Sequence, residues 1–205
     1  MLQKTFLSIT QKYTQNLKQI DILWSEIELL YQVGGRFYHT INHLENMLIE
    51  LDLVKSEIDN FDAVFYALIY HDIIYQASSI DNEKRSAELA IKRLNEIKFP
   101  DEKIELVKKL IEATAKHQYS ELSDCNYFID ADLCILGASP ELYEEYSKQI
   151  RQEYIIYPDV LYNEGRKKVL IHFLEMSRIF KSDSFYLKYE NQARKNLKKE
   201  LNFLN

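Results

Sequence analysis

Apolar residues recur about every 3.6 positions along much of the chain. In "SAELAIKRLNEI", Ala87, Ala90, Ile91, Leu94 and Ile97 fall on one face, and in "DEKIELVKKLIEAT", Ile104, Val107, Leu110 and Ile111 do the same. That period predicts amphipathic helices packed by one side. No pair of alternating segments is joined by a glycine-containing hairpin turn, so no strand pair is expected. Breakers divide the pattern at Gly34-Gly35, at "ASSIDN" (Ala77 to Asn82), at Pro100, at "GASP" (Gly137 to Pro140) and at Pro158. Ser139-Pro140 has the form of an N-cap followed by proline in the first turn, with Gly137 expected to end the preceding helix. In the C-terminal "NQARKNLKKELNFLN", Leu197, Leu201 and Leu204 share a side, which predicts a final amphipathic helix. The expectation is an all-α protein of nine or ten helices, with residues 1–205 forming one domain.

Composition narrows the class. The chain has 205 residues, 46% of them hydrophobic, and a domain of that size buries roughly 70% of its unfolded surface. The longest apolar stretch, Ala63 to Tyr70, is far short of the ~20 residues a membrane span needs. The N-terminus lacks the cationic start and cleavage site of a signal peptide, so a soluble, cytoplasmic protein without a membrane partner is expected. Cys125 and Cys134 form no CxxC pair, which predicts free thiols rather than a disulfide or a zinc–thiolate site. A net charge of −6 argues against a large nucleic-acid footprint. A small phosphorylated anion remains a suitable partner, and a homo-oligomer is compatible with the sequence.

The chemistry is concentrated in a few histidines and aspartates set in apolar surroundings. "FYALIYHDIIYQ" places His71 and Asp72 inside an apolar run, where each must find a partner or cost several kcal/mol. In "FYHTINHLENM", His39 and His43 are i and i+4 and share a helix face if the helix has begun by Tyr38. In "YFIDADLCILG", Asp130 and Asp132 are about 200° apart on a helix, so one of them joins any given site. A divalent cation answers several such groups at once, and mixed imidazole and carboxylate ligands suit zinc, iron or manganese.

The ordered set of His43, then His71-Asp72, then Asp132 in an "ADL" context resembles the HD-domain superfamily of metal-dependent phosphohydrolases. The flanks "RFYHTINHL", "HDIIYQASSIDNEKRSAELA", "DADLCILGASPELYEEYSKQIRQEY" and "GRKKVLIHFL" are similar to a group of small bacterial HD proteins over most of the chain. The resemblance implies a helical fold converging on a divalent metal (Mn, Fe, Zn, Ni, Co or Mg) held by His43, His71, Asp72 and Asp132. By analogy with cyclic-nucleotide phosphodiesterases it implies His39 as general acid, although Thr40 stands where those enzymes carry asparagine. Asp72 would also position the attacking water. A second ion would draw on Glu83, His117 or Asp130.

The remaining candidates have ordinary readings beside the chemical ones. His117 fits a helix C-terminus, His172 fits a plain helix residue, and Asp130 fits a capping group. Arg36, three residues from His39, is a phosphate candidate, with Arg151 and Arg166 as further ones. Tyr38 and Tyr75 flank the presumed site and could stack on a base, while the other tyrosines read as packing residues. The sequence thus supports a phosphohydrolase of a small phosphorylated metabolite or nucleotide. Its rivals are an HD-type di-iron oxygenase and a non-catalytic, ligand-binding HD protein with a structural metal.

Overall fold

A helix that is apolar on every side needs neighbours all round it. In the computed structural model, which describes residues 1–204, no side chain from Ala63 to Tyr70 is more than 1% exposed. That segment is the fourth of ten helices: α1 (Leu2–Thr10), α2 (Leu17–Tyr31), α3 (Ile41–Leu53), α4 (Phe61–Tyr70), α5 (Asn82–Glu96), α6 (Asp101–Ala113), α7 (Ser123–Leu133), α8 (Pro140–Glu153), α9 (Asp159–Glu175) and α10 (Asp183–Leu204). Helices α3, α5, α6 and α7 pack around α4, while α1 lies against α2 and α3. Each large aliphatic or aromatic side chain buried there contributes about 1.5–3 kcal/mol by leaving water. The tyrosine hydroxyl inside this core is paired, Tyr66 Oη lying 3.1 Å from Thr10 Oγ1. The expected all-helical bundle is what forms. Among the described residues there is no strand, and no helix is long and apolar enough to cross a membrane.

The end of α4 is imposed from outside. No glycine or proline lies between Tyr70 and Ala77, yet the helix stops and His71 becomes its C-cap. The backbone beyond it is captured by side chains of other segments. Ser86 Oγ pairs with both the N–H and the carbonyl of Ile74, at 3.1 and 3.2 Å. Asn82 does the same for Gln76, at 3.1 and 3.0 Å. Arg36 donates to the carbonyls of Asp72 and Ile73. These bonds replace the helical ones that residues 72–76 would otherwise make.

Ser139 caps α8 as expected, its hydroxyl accepting the Leu142 N–H ahead of Pro140 in the first turn. Gly137 has a different role from the helix stop that its position suggested. Helix α7 ends at Leu133, and a 3-10 turn, Cys134–Gly137, follows it. Helix α10 crosses so close that a Cβ on Gly137 would lie 2.6 Å from Tyr189 Cβ and 2.7 Å from the Tyr189 carbonyl oxygen. Asn196 of α10 fastens the crossing by donating to the carbonyls of Leu136 and Ala138. Backbone cannot yield as a flexible side chain does. We expect Gly137→Ala to cost about 1–3 kcal/mol and to lower the melting temperature by roughly 2–10 °C. An unchanged melting curve would mean that α10 is not held at this distance.

Candidate metal centre and its cavity

Three helices bring the predicted ligands together. His43 lies in the first turn of α3, His71 caps the end of α4, and Asp132 stands near the end of α7. One ligand atom from each lies within 4.8 Å of the others, and His43 and His71 are buried. His43 Nε2 is 3.1 Å from Asp132 Oδ1, and His71 Nε2 is 3.6 Å from the same oxygen. Asp72 sits at the edge, with Oδ2 3.0 Å from His71 Nε2 and 4.0 Å from His43 Nε2. The two side chains of the His71-Asp72 dipeptide approach one point because the helix has already ended at Tyr70.

Hydrogen bonding at the far side of His71 decides its chemistry. Nδ1 lies 3.0 Å from the Leu68 carbonyl oxygen, which can only accept, so Nδ1 carries a proton. In the neutral ring Nε2 is then a lone pair turned toward carboxylate oxygens. Neither His71 Nε2 nor His43 Nε2 makes a hydrogen bond, although both are shut off from water. Lone pairs facing carboxylates repel unless a cation lies between them. Burial disfavours charge on His71, yet Asp72 and Asp132 outweigh it and raise its pKa well above the ordinary histidine value. The electrostatics that attract a proton attract a divalent cation for the same reason. His43 is pushed the other way, mainly by burial, which favours the neutral ring a metal requires.

Asp132 is oriented from behind. Its Oδ2 lies 2.8 Å from His117 Nε2, leaving Oδ1 for His43 and His71. Burial alone would raise its pKa, but the imidazoles around it hold the carboxyl well below the usual range. His117 reaches it from a left-handed backbone conformation, φ +49°, beyond the end of α6. It lies just past the helix end, and its ring is taken up by Asp132. Asp130 faces the other way, as their angular separation requires. Its carboxylate accepts the N–H groups of Lys181 and Ser182 and the Ser182 hydroxyl, each at 2.7 Å. It ties down the loop before α10.

His39 does not share a helix face with His43, because α3 begins only at Ile41. The loop that carries it is held by Glu153, at the end of α8. Glu153 Oε1 accepts the backbone N–H groups of Phe37, Tyr38 and His39, at 2.7, 2.8 and 3.0 Å. Its Oε2 lies 2.6 Å from His39 Nδ1 and 2.8 Å from Tyr75 Oη. Tyr75 also stacks on the His39 ring, with centroids 4.3 Å apart. These contacts turn His39 Nε2 toward Asp72 Oδ2, 3.9 Å away. Burial would depress the His39 pKa, but Asp72 and Glu153 together raise it. Burial would likewise raise that of Glu153, yet the His39 and backbone donors bring it down to about 2. Sequence reasoning missed Glu153, which reads as one more charge in the helix "PELYEEYSKQIRQE"; no local signal marks it.

The arginines occupy other roles than those expected. Arg36 is clamped between the rings of Tyr31 and Tyr75 and donates to the carbonyls of His39, Asp72 and Ile73. Arg151 binds Asp159 and the carbonyls of Tyr154 and Tyr157, closing the turn into α9. Arg166 is buried and forks onto both oxygens of Glu200. Of the three, only Arg166 lines the cavity of about 750 Å³ that opens from the histidine–aspartate cluster. Glu83 and His172 also line it, His172 from an exposed position on α9. Neither Cys125 nor Cys134 is in a disulfide.

No family model, curated protein or solved structure matches the chain.

The Glu153 contacts carry a linkage with a definite sign. A carboxyl whose folded pKa lies below its unfolded value of 4.5 stabilises the fold above that value and loses the effect as pH falls toward the folded one. Glu153→Gln should cost on the order of 2 kcal/mol at pH 7. The difference in urea midpoint between variant and wild type should narrow at pH 3.5. A gap that is equal at both pH values would contradict an ionised, internally bonded Glu153.

Proposed function

We propose that the chain is a metal-dependent phosphohydrolase of the HD type, acting on a small phosphorylated metabolite or nucleotide. The observation that carries this reading is the pair of buried, unbonded Nε2 atoms on His43 and His71, turned toward Asp132 and Asp72. Such a donor set fits a divalent transition metal: soft enough for imidazole, anionic enough for a hard cation, and backed by outer hydrogen bonds that fix ring and carboxylate orientation. When bound, the ion supplies an acidified water and polarises a phosphoryl oxygen.

The remaining steps belong to the chain's own residues. Asp72, partly exposed at the cavity edge, accepts a hydrogen bond from the attacking water and orients it. His39 supplies the proton for the departing oxygen. Its Nδ1–H is committed to Glu153, so the proton on Nε2 of the charged ring is the one that leaves. Glu153 and Tyr75 hold the ring through transfer, so no geometry has to be found at that moment. His117 remains on Asp132 and preserves its orientation.

Two measurements test the reading. Protein purified without chelator or metal-affinity steps should carry close to one equivalent of transition metal, and a folded His71→Ala/Asp72→Ala variant should carry almost none. Absence of metal from both, even after loading with manganese, zinc or iron, removes the hydrolase assignment. His39→Gln should lower kcat about 10²–10⁴-fold on an alkyl phosphoester, but less than tenfold on a p-nitrophenyl ester, whose leaving group needs no proton. Equal losses on both esters would exclude His39 as the proton donor.

A further inference from the structure

The cavity is much larger than hydrolysis of a phosphate group requires, and its two ends differ. One end is ionic, with His39, Asp72, His117 and Asp132. The other, formed by α8, α9 and the turn between them, is walled by Tyr146, Tyr154, Tyr157, Leu161, Tyr162 and Val169. Rings begin beside the histidine–aspartate cluster. Tyr38 lies 4.7 Å from the His43 ring and 4.7 Å from Tyr146, and the Arg166 guanidinium, also in the lining, lies 5.4 Å from the Tyr146 centroid. Farther out, Tyr154 lies 6.1 Å from both Tyr157 and Tyr162. A volume of about 750 Å³ lies in the range of sites that enclose a whole organic ligand.

One of these rings carries an unexplained cost. Tyr162 is only 9% exposed, and its hydroxyl is buried without a hydrogen-bond partner. An unmade bond of this kind costs about 1–3 kcal/mol, and phenylalanine would fill the same space without it. An alkyl chain would match the aliphatic part of the wall but offer its hydroxyls nothing. A saturated sugar would match the hydroxyls but not the flat faces. A planar ring with polar atoms on its edge answers both.

We propose that the α8–α9 side of the cavity is a subsite for a planar aromatic ring, the organic part of the phosphorylated substrate, with Tyr157 giving a stacking face. This rests on the hydrolase reading for the phosphate's place at the ionic end, but the ring site itself does not need the metal. Two sources share the chemistry: a nucleobase, or a carbocyclic aryl group.

The test uses ligands without phosphate, so it is independent of metal and catalysis. Adenosine, guanosine, cytidine and uridine, with phenol as the carbocyclic ring and ribose as the non-aromatic control, are titrated into the purified protein by ligand-observed NMR. At least one aromatic probe should bind where ribose does not. Tyr157→Ala should weaken it about tenfold. Tyr162→Phe should leave the melting temperature of the free protein unchanged or raised. Preference for a nucleoside identifies a nucleobase, and preference for phenol an aryl group; either supports the subsite. Failure of every aromatic probe to bind, or binding equal in wild type and Tyr157→Ala, overturns it. That failure would leave the metal content and the hydrolase reading as they were. Ring binding by a protein that holds no metal would instead retain the subsite and remove the hydrolase.

Discussion

Placing two imidazoles and two carboxylates together out of water is the constraint on which the arrangement of this molecule depends. Each such group costs several kcal/mol to desolvate unless its neighbours compensate. Three of the four are accordingly held from outside the cluster. Leu68 fixes the His71 tautomer, His117 fixes which Asp132 oxygen faces inward, and the helix end at Tyr70 lets Asp72 turn in beside His71. The apolar segment Ala63–Tyr70 follows from the same demand. A rigid, deeply buried rod is what can carry His71 to the meeting point of α3 and α7, and its Tyr66 hydroxyl is satisfied by Thr10.

The loop between α2 and α3 is governed by two oppositely charged clamps. Glu153 collects N–H groups from residues 37–39, and Arg36 collects carbonyls from His39, Asp72 and Ile73. Between them they satisfy backbone that belongs to no helix, which is otherwise costly to bury. They also tie His39 to Asp72: one guanidinium, that of Arg36, donates to the carbonyls of both, while Glu153 holds the His39 ring.

This division of labour keeps Arg36 and Arg151, two of the residues that looked like phosphate contacts, out of the cavity, while Arg166 lines it. Arg36, Arg151 and Asp130 are spent on loops, and Arg166 on Glu200. What faces the cavity is an ionic floor and a tyrosine wall. In the proposed reading the phosphate would fall to the cation site and the organic part to the rings.

The sequence by itself determined the helical class, the breaks at Pro100 and Pro158, the Ser139–Pro140 cap and the buried character of α4. These follow from periodicity and local backbone chemistry, which act over a few residues. It also determined that Asp130 and Asp132 part company, since a helix separates them by geometry alone. The set of His43, His71 and Asp132 was legible through its resemblance to the HD-domain pattern; the residues alone pointed to a cation but left Asp130 and Asp132 as alternatives. Tertiary structure decided what depended on distant partners. Glu153, 114 residues from His39, has no local signature. The end of α4 is set by Ser86, Asn82 and Arg36, not by a breaker. Gly137 answers to Tyr189 rather than to its own turn. A hydrogen bond or a close approach is a property of two segments at once, and a linear sequence shows only one of them at a time.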